Sequence, residues 1–305
     1  MEYEVVVDWA PAYELVTSFQ AYARPLHNKA LEVGADWIKR VRPLLPDWFD
    51  QEVKAIPEKI AFPHVLLTRC PGARDTAALA GWLGAQSGSE LYDLVCELTG
   101  EEGTPPASVL ADVRDRYQRL LTAWDECYFR TLDLRIVEGL EAEATTWQHR
   151  ATELNPVDLV AAATRGLRFE GPPDLKRVTL VPQYHFRPIN LITWLPNHCL
   201  VLFGVDPVAP PPGEVPAQLQ RLIRALDDRS RLQILRAIGQ APRSFTEVVE
   251  LAGLAKSTVH HHLVTLRAAG LVWYHITSIE TDRYSLRTDA LEHLVPDLTT
   301  FLKGE

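Results

Sequence analysis

Apolar residues recur at intervals of three and four over most of the first 150 positions, the period of amphipathic helices. The pattern predicts helices over 8–22 (DWAPAYELVTSFQAY), 30–44 (ALEVGADWIKRVRPL), 76–98 and 106–152, the last long enough to be two. Within it Leu120, Leu121, Trp124 and Tyr128 form one apolar stripe, with Arg116, Arg119, Asp125 and Glu126 largely off it. Asn155-Pro156-Val157-Asp158 reads as a helix start. The period then changes, and KRVTLVPQYHFRP and NHCLVLFGV read as strands.

At 206–216 the chain reads DPVAPPPGEVP. Five prolines in eleven residues suit neither a helix interior nor a central strand. The stretch reads as a stiff connector, which places the domain division there: 1–205, a Pro-rich linker at 206–216, and 217–305. Beyond it the expected order is helices over 217–226, 229–239, 245–252 and 256–269, a hairpin over 271–287, and a last helix over 288–302. Ser244 and Glu247 have the spacing of a capping box, and Gly253 and Gly270 are placed to end the helices before them. Three helices, a short helix–turn–helix and a hairpin make the winged-helix layout. The fold class expected is mainly α (α+β): a large helical N-terminal domain with a few strands, then a C-terminal winged helix-turn-helix domain.

His260, His261 and His262 stand in a row inside the fourth of those helices. Three histidines suggest a metal, but successive helical side chains diverge by about 100° and cannot converge on one ion. Chelation along a helix uses i and i+4, and the +4 partners here are Val264, Thr265 and Leu266. Val259, Leu263 and Leu266 make the core stripe, with His262 at its edge. Lys256, Ser257, Thr258, His260 and His261 are left on the outward face. Short hydrogen-bonding side chains on the N-terminal half of such a helix suit base edges in a major groove. As a lone helix they would be an ordinary solvated face; their place as the second helix of a helix–turn–helix favours DNA.

Net charge is −9, which argues against a polyanionic partner until its distribution is read. The residues from Glu214 onward hold 11 basic and 11 acidic side chains, so the first 213 carry the whole imbalance. Between Arg221 and Arg287 there are 10 basic against 6 acidic residues, so the histidine region is the locally basic one. Cys70, Cys96, Cys127 and Cys199 are scattered without a CxxC pair, and MEYEVVVDWA lacks the basic start of a secretory signal. Both features lead to the expectation of a cytoplasmic protein, and no apolar run is long enough to span a membrane.

ALDDRSRLQILRAI (225–238) and SFTEVVELAGLAKSTVHHHLVTLRAAGLV (244–272) together give residues 217–290 a marked likeness: they resemble the ArsR-type winged-helix transcriptional regulators. The resemblance implies a dimer that binds a double-stranded DNA operator and acts as a repressor or activator. It also implies a DNA-facing set of Lys256, Ser257, Thr258, His260 and His261, with Arg283 from the wing, while His262 takes the place of the family's partly buried histidine. Several positions depart from the pattern. Arg229 replaces a usual proline, and Ala255 a usual serine cap. The wing loop SIETD carries Glu280 and Asp282 where cations are preferred. The family's metal sensors use paired cysteines that TEVVELAGL lacks, or acid and histidine sets on the last helix, where only Asp289 and His293 stand at i and i+4. No metal and no cofactor is expected.

The N-terminal 205 residues exceed what such a regulator needs. They read either as an effector-binding sensor or as a dimerisation and partner-binding scaffold, and VTLVPQY (178–184) resembles a strand signature of longer relatives. Nine aromatic residues, from Trp9 to Trp147, sit on predicted helices and could line a small-molecule pocket or simply pack as core. No enzyme motif is present. GAQSG lacks the nucleophile-elbow spacing, no phosphate-binding glycine loop occurs, and His198 and Cys199 fall on opposite faces of a strand. The expectation is a regulator that is not an enzyme. The alternative is a protein-interaction scaffold that uses its winged helix for protein contacts.

Overall fold

The computed structural model describes residues 3–24, 31–57, 63–100, 105–171, 174–277 and 282–304. In chain order the elements are β1 (Glu4–Val7), α1 (Pro11–Ala23), α2 (Gly34–Val41), α3 (Phe49–Lys54), α4 (Pro63–Leu67), α5 (Thr76–Ala85), α6 (Gly88–Thr99) and α7 (Ala107–Cys127). They continue as α8 (Leu134–Arg150), α9 (Pro156–Ala163), β2 (Leu167–Phe169), β3 (Arg177–Gln183), β4 (Leu191–Leu195) and β5 (His198–Gly204). The chain closes with α10 (Ala217–Leu226), α11 (Arg229–Gln240), β6 (Arg243–Ser244), α12 (Phe245–Ala252), α13 (Lys256–Ala268), β7 (Val272–Ile276), β8 (Asp282–Leu286) and α14 (Asp289–Lys303). This is the mainly helical α+β class expected.

The chain divides into two compact units. One comprises residues 6–146 and 177–207, the other residues 1–5, 147–176 and 208–305. A single division at the proline run therefore misplaces 147–176, which belong with the C-terminal part. The cause is β2, which pairs in parallel with the hairpin strand β7. The proline run itself is irregular from 206 to 216, as its composition requires.

The larger unit packs its helices around an aromatic core. The fully buried Trp124 ring lies 4.8 Å from Tyr128, 5.1 Å from Tyr22 and 6.0 Å from both Phe19 and Phe49, centroid to centroid. The aromatic residues of α1, α3 and α7 thus pack on one another, the core alternative of the two readings. Its sheet has the order β1-β3-β5-β4, with β3 and β5 parallel and β4 antiparallel to β5. β3 and β5 read as near-continuous apolar runs because their interior residues are buried on both faces. The helix expected over 76–98 is two helices. Ser87 caps α6 in a box with Glu90, and that S-x-x-E start ends the preceding helix at Ala85.

In the smaller unit α10 to α14 and the hairpin follow the expected spans to within a residue or so at each end. Ser244 and Glu247 form their capping box, and Gly253 and Gly270 adopt left-handed backbone conformations after α12 and α13. Leu222, Ile234, Leu235, Val248, Val259 and Leu266 belong to its core. The sheet order is β2-β7-β8-β6.

Candidate nucleic-acid interface

α13 sorts its residues by face. Val259, Leu263 and Leu266 are 0–2% exposed, whereas Lys256, Ser257, Thr258, His260 and His261 are all exposed. Sequence periodicity places all of these correctly, because one turn of 3.6 residues fixes which face meets the core. Ala255 has the extended backbone of a cap residue (φ −61°, ψ 145°) but offers no side-chain acceptor, so the first turn of α13 keeps its N–H groups uncapped by a side chain.

The three histidines do not converge. His260 and His261 face outward, and His262 is 8% exposed and turned to the core. Its Nδ1 has no hydrogen-bond partner among the described residues. Burial lowers the His262 pKa, opposed by Asp228, whose carboxylate caps α11 by accepting the Arg231 N–H. His262 therefore packs at the edge of the core face of α13. Among the described residues no three metal-ligating side chains gather at one point. On α14, Asp289 pairs with Arg287 at 2.8 Å.

The predicted DNA-facing set is brought partly together. His260 and Arg283 share a cleft of about 460 Å³ between the first turn of α12, the middle of α13 and the hairpin. Lys256, Ser257, Thr258 and His261 lie outside that cleft, on the exposed face of α13. The Arg283 side chain is exposed and donates a long bond, 3.4 Å, to the Pro242 carbonyl. Of the wing acids, Glu280 lies outside the described residues. Asp282 accepts a short hydrogen bond from the Tyr274 hydroxyl, so part of its charge is engaged within the hairpin. Burial pushes the Tyr274 hydroxyl pKa up, and the bond to Asp282 pushes it further.

Sequence reasoning missed Arg267. It lines the same cleft and lies over the Tyr274 ring at 3.8 Å, a cation–π contact. The signal was present, since Arg267 follows His260 by seven residues, two turns, and so shares its face. The other omission is β2, which brings Glu170 to 2.7 Å from His275 of β7.

With this geometry established, comparison with known proteins is direct. Residues 228–274 match the family described as "Bacterial regulatory protein, arsR family" and form an ArsR-family helix–turn–helix domain. A 66-residue stretch is 38% identical to the HTH-type transcriptional regulator NmtR of Mycobacterium tuberculosis (strain ATCC 25618 / H37Rv). That stretch is 22% of this chain and 55% of the relative, so the chain spans about half the length of the protein it resembles. No solved structure matches the chain.

Proposed function

We propose that this protein is a sequence-specific DNA-binding transcriptional regulator. It binds a double-stranded operator as a homodimer, works in the cytoplasm, and responds to a ligand or partner through its N-terminal residues. In this reading it is not an enzyme. The observation that carries it is the division of α13: one face locked into the core by Val259, Leu263 and Leu266, the other presenting Ser257, Thr258, His260 and His261 unencumbered. The arsR-family match over the same segment supports that assignment. Lys256 and Arg283 supply phosphate contacts, which position without specifying, and the short polar residues read base edges.

The homodimer is supported by apolar side chains left at the surface of the C-terminal unit. Val295 and Leu302 on α14 are 69% and 73% exposed, and Ile223 on α10 is 42% exposed. Pairing these helices about a two-fold axis would bury them and set two recognition helices about one helical turn of DNA apart. No described helix is long and apolar enough to cross a membrane.

Selection from a random-sequence duplex library tests the reading. The full-length protein should enrich an inverted repeat, and light scattering at micromolar concentration should give twice the 34.3 kDa chain mass. Failure to enrich any sequence over successive rounds would refute sequence-specific binding, and a monomer in solution would refute the dimer.

A further inference from the structure

The winged-helix sheet carries a strand that the motif does not require. β6, β8 and β7 belong to the helix–turn–helix and its hairpin, whereas β2 comes from more than a hundred residues upstream of β7 and adds a fourth strand. It runs parallel to β7, with Leu167, Arg168 and Phe169 opposite Tyr274, His275 and Ile276. Backbone bonds hold both its ends: the Tyr274 N–H donates to the Gly166 carbonyl at 2.7 Å, and the Glu170 N–H to the Ile276 carbonyl at 2.9 Å. Gly166 has φ +130°, and a Cβ there would fall 2.5 Å from the Val272 carbonyl oxygen, so only glycine allows the approach.

Side chains alternate along β2 as along any strand. Leu167 and Phe169 are buried. Arg168 and Glu170, on the other face, reach across the hairpin. The Glu170 carboxylate lies 2.7 Å from His275 Nδ1, and His275 Nε2 lies 2.7 Å from the Ser285 hydroxyl, so one imidazole links β2 to β8. Arg168 and Arg287 both lie over the Trp273 ring, at 5.0 and 4.9 Å, a second link. His275 pairs in register with Arg283, so Arg168, His275 and Arg283 form a row across three strands. The Arg283 side chain is exposed and weakly held, so its placement is set by β8, and that of β8 by the strands beside it. β6 already pairs with β8 on one side of the hairpin, and β2 supplies the pairing on the β7 side.

We infer that β2 is a positioning strand for the wing: residues 166–170, with Glu170 and Arg168 as positioning residues, hold β7 and β8 so that Arg283 reaches a DNA backbone phosphate. This rests on the DNA-binding reading above. The strand lies in a segment, 147–176, that the chain joins at both ends to the N-terminal unit.

The test uses the full-length protein and a fluorescein-labelled duplex of about 30 base pairs and mixed sequence, with affinity read by anisotropy from about 25 to 200 mM KCl. Each phosphate that the protein ceases to neutralise lowers the log–log salt slope by about 0.9. Arg283→Ala should lower the slope by that amount per subunit. Glu170→Ala and Gly166→Val should lower it equally, and neither should lower it further when combined with Arg283→Ala. Glu170→Gln, which keeps an acceptor for His275, should restore the slope. If Gly166→Val does not fold, Glu170→Ala carries the test alone, because its side chain is 41% exposed and its removal leaves the core intact. A wild-type slope in Glu170→Ala, or full additivity with Arg283→Ala, overturns the inference. A wild-type slope in Arg283→Ala overturns it while leaving DNA binding in place. A native protein that binds no duplex at the lowest salt removes both readings.

Discussion

The Glu14 carboxylate and the His185 imidazole meet with neither exposed to solvent. Glu14 also accepts the backbone N–H groups of Tyr184 and His185, at 3.0 and 3.1 Å. Tyr128 lies 2.7 Å from His185 Nε2 and accepts the Trp37 indole N–H at 2.8 Å. Indole can only donate, so the Tyr128 hydrogen is free for Nε2, which leaves the Nδ1–H for Glu14. Each of these buried polar side chains then has a hydrogen-bond partner. The arrangement ties α1 to the turn after β3.

Glu14→Gln should therefore be strongly destabilising. The amide puts an N–H₂ group where the carboxylate accepted backbone N–H groups, leaving buried donors facing each other. Leaving a buried donor without an acceptor costs about 1–3 kcal/mol. Urea denaturation of the full-length variant should show this loss; a change under about 1 kcal/mol would mean that the network is not what holds the turn.

His64 gives a pH-dependent prediction. It is buried, 3.0 Å from the Thr17 hydroxyl, and burial together with the nearby Arg24 charge lowers its pKa to about 3. The unfolded chain binds this proton near the ordinary value of 6.5. The folded pKa is thus the lower one, so the group's stability contribution is complete above pH 6.5 and is lost as pH falls toward 3. The loss is about 1.4 kcal/mol per pH unit in that window. Subtracting the pH profile of His64→Asn from that of the native protein should isolate it. Parallel profiles between about pH 6 and 4 would show that His64 takes up its proton in the folded state.

Ala255 offers a stabilising change. Its backbone already has the extended conformation of a cap, and the only missing part is an acceptor for the first turn of α13. Ala255→Ser should gain about 0.5–2 kcal/mol, the usual worth of such a cap. The gain should appear as a higher urea midpoint with an unchanged denaturant slope. A lower midpoint would show that the uncapped N–H groups already have better partners.

What the sequence disclosed follows from the range of the interactions involved. α10 to α14 were legible because local rules decide them: caps at Ser244, left-handed glycines at 253 and 270, and a 3.6 period in α13. The facing of Lys256, Ser257, Thr258, His260 and His261 came from the same period. β2 was not legible. Its three residues, Leu167–Phe169, are too few to show alternation, and what makes them a strand is the edge of β7 more than a hundred residues away. The division of the chain was misjudged for the same reason, since a proline run marks a change in local stiffness and says nothing of which segments pair across it. The spacing puts Arg267 on the His260 face, but its contact with the Tyr274 ring lies on another element and leaves no local trace in the sequence.

The residues proposed to face DNA should separate into two classes by what each substitution does. Ser257 and His261 present short acceptors and donors on the outward face of α13, away from the core. Ser257→Ala/His261→Ala should bring operator affinity close to that for random duplex, each base contact being worth about 1–3 kcal/mol, with the melting temperature nearly unchanged because neither side chain is buried. Lys256 is a flexible point charge at the first turn, suited to phosphate. Lys256→Ala should weaken operator and random duplex by the same factor and lower the salt slope by about one per subunit. Both constants can be read from one competition titration of labelled operator against random duplex. If Lys256→Ala alters the ratio of the two affinities, the lysine reads bases. If the double variant preserves that ratio, recognition lies elsewhere than on this face of α13.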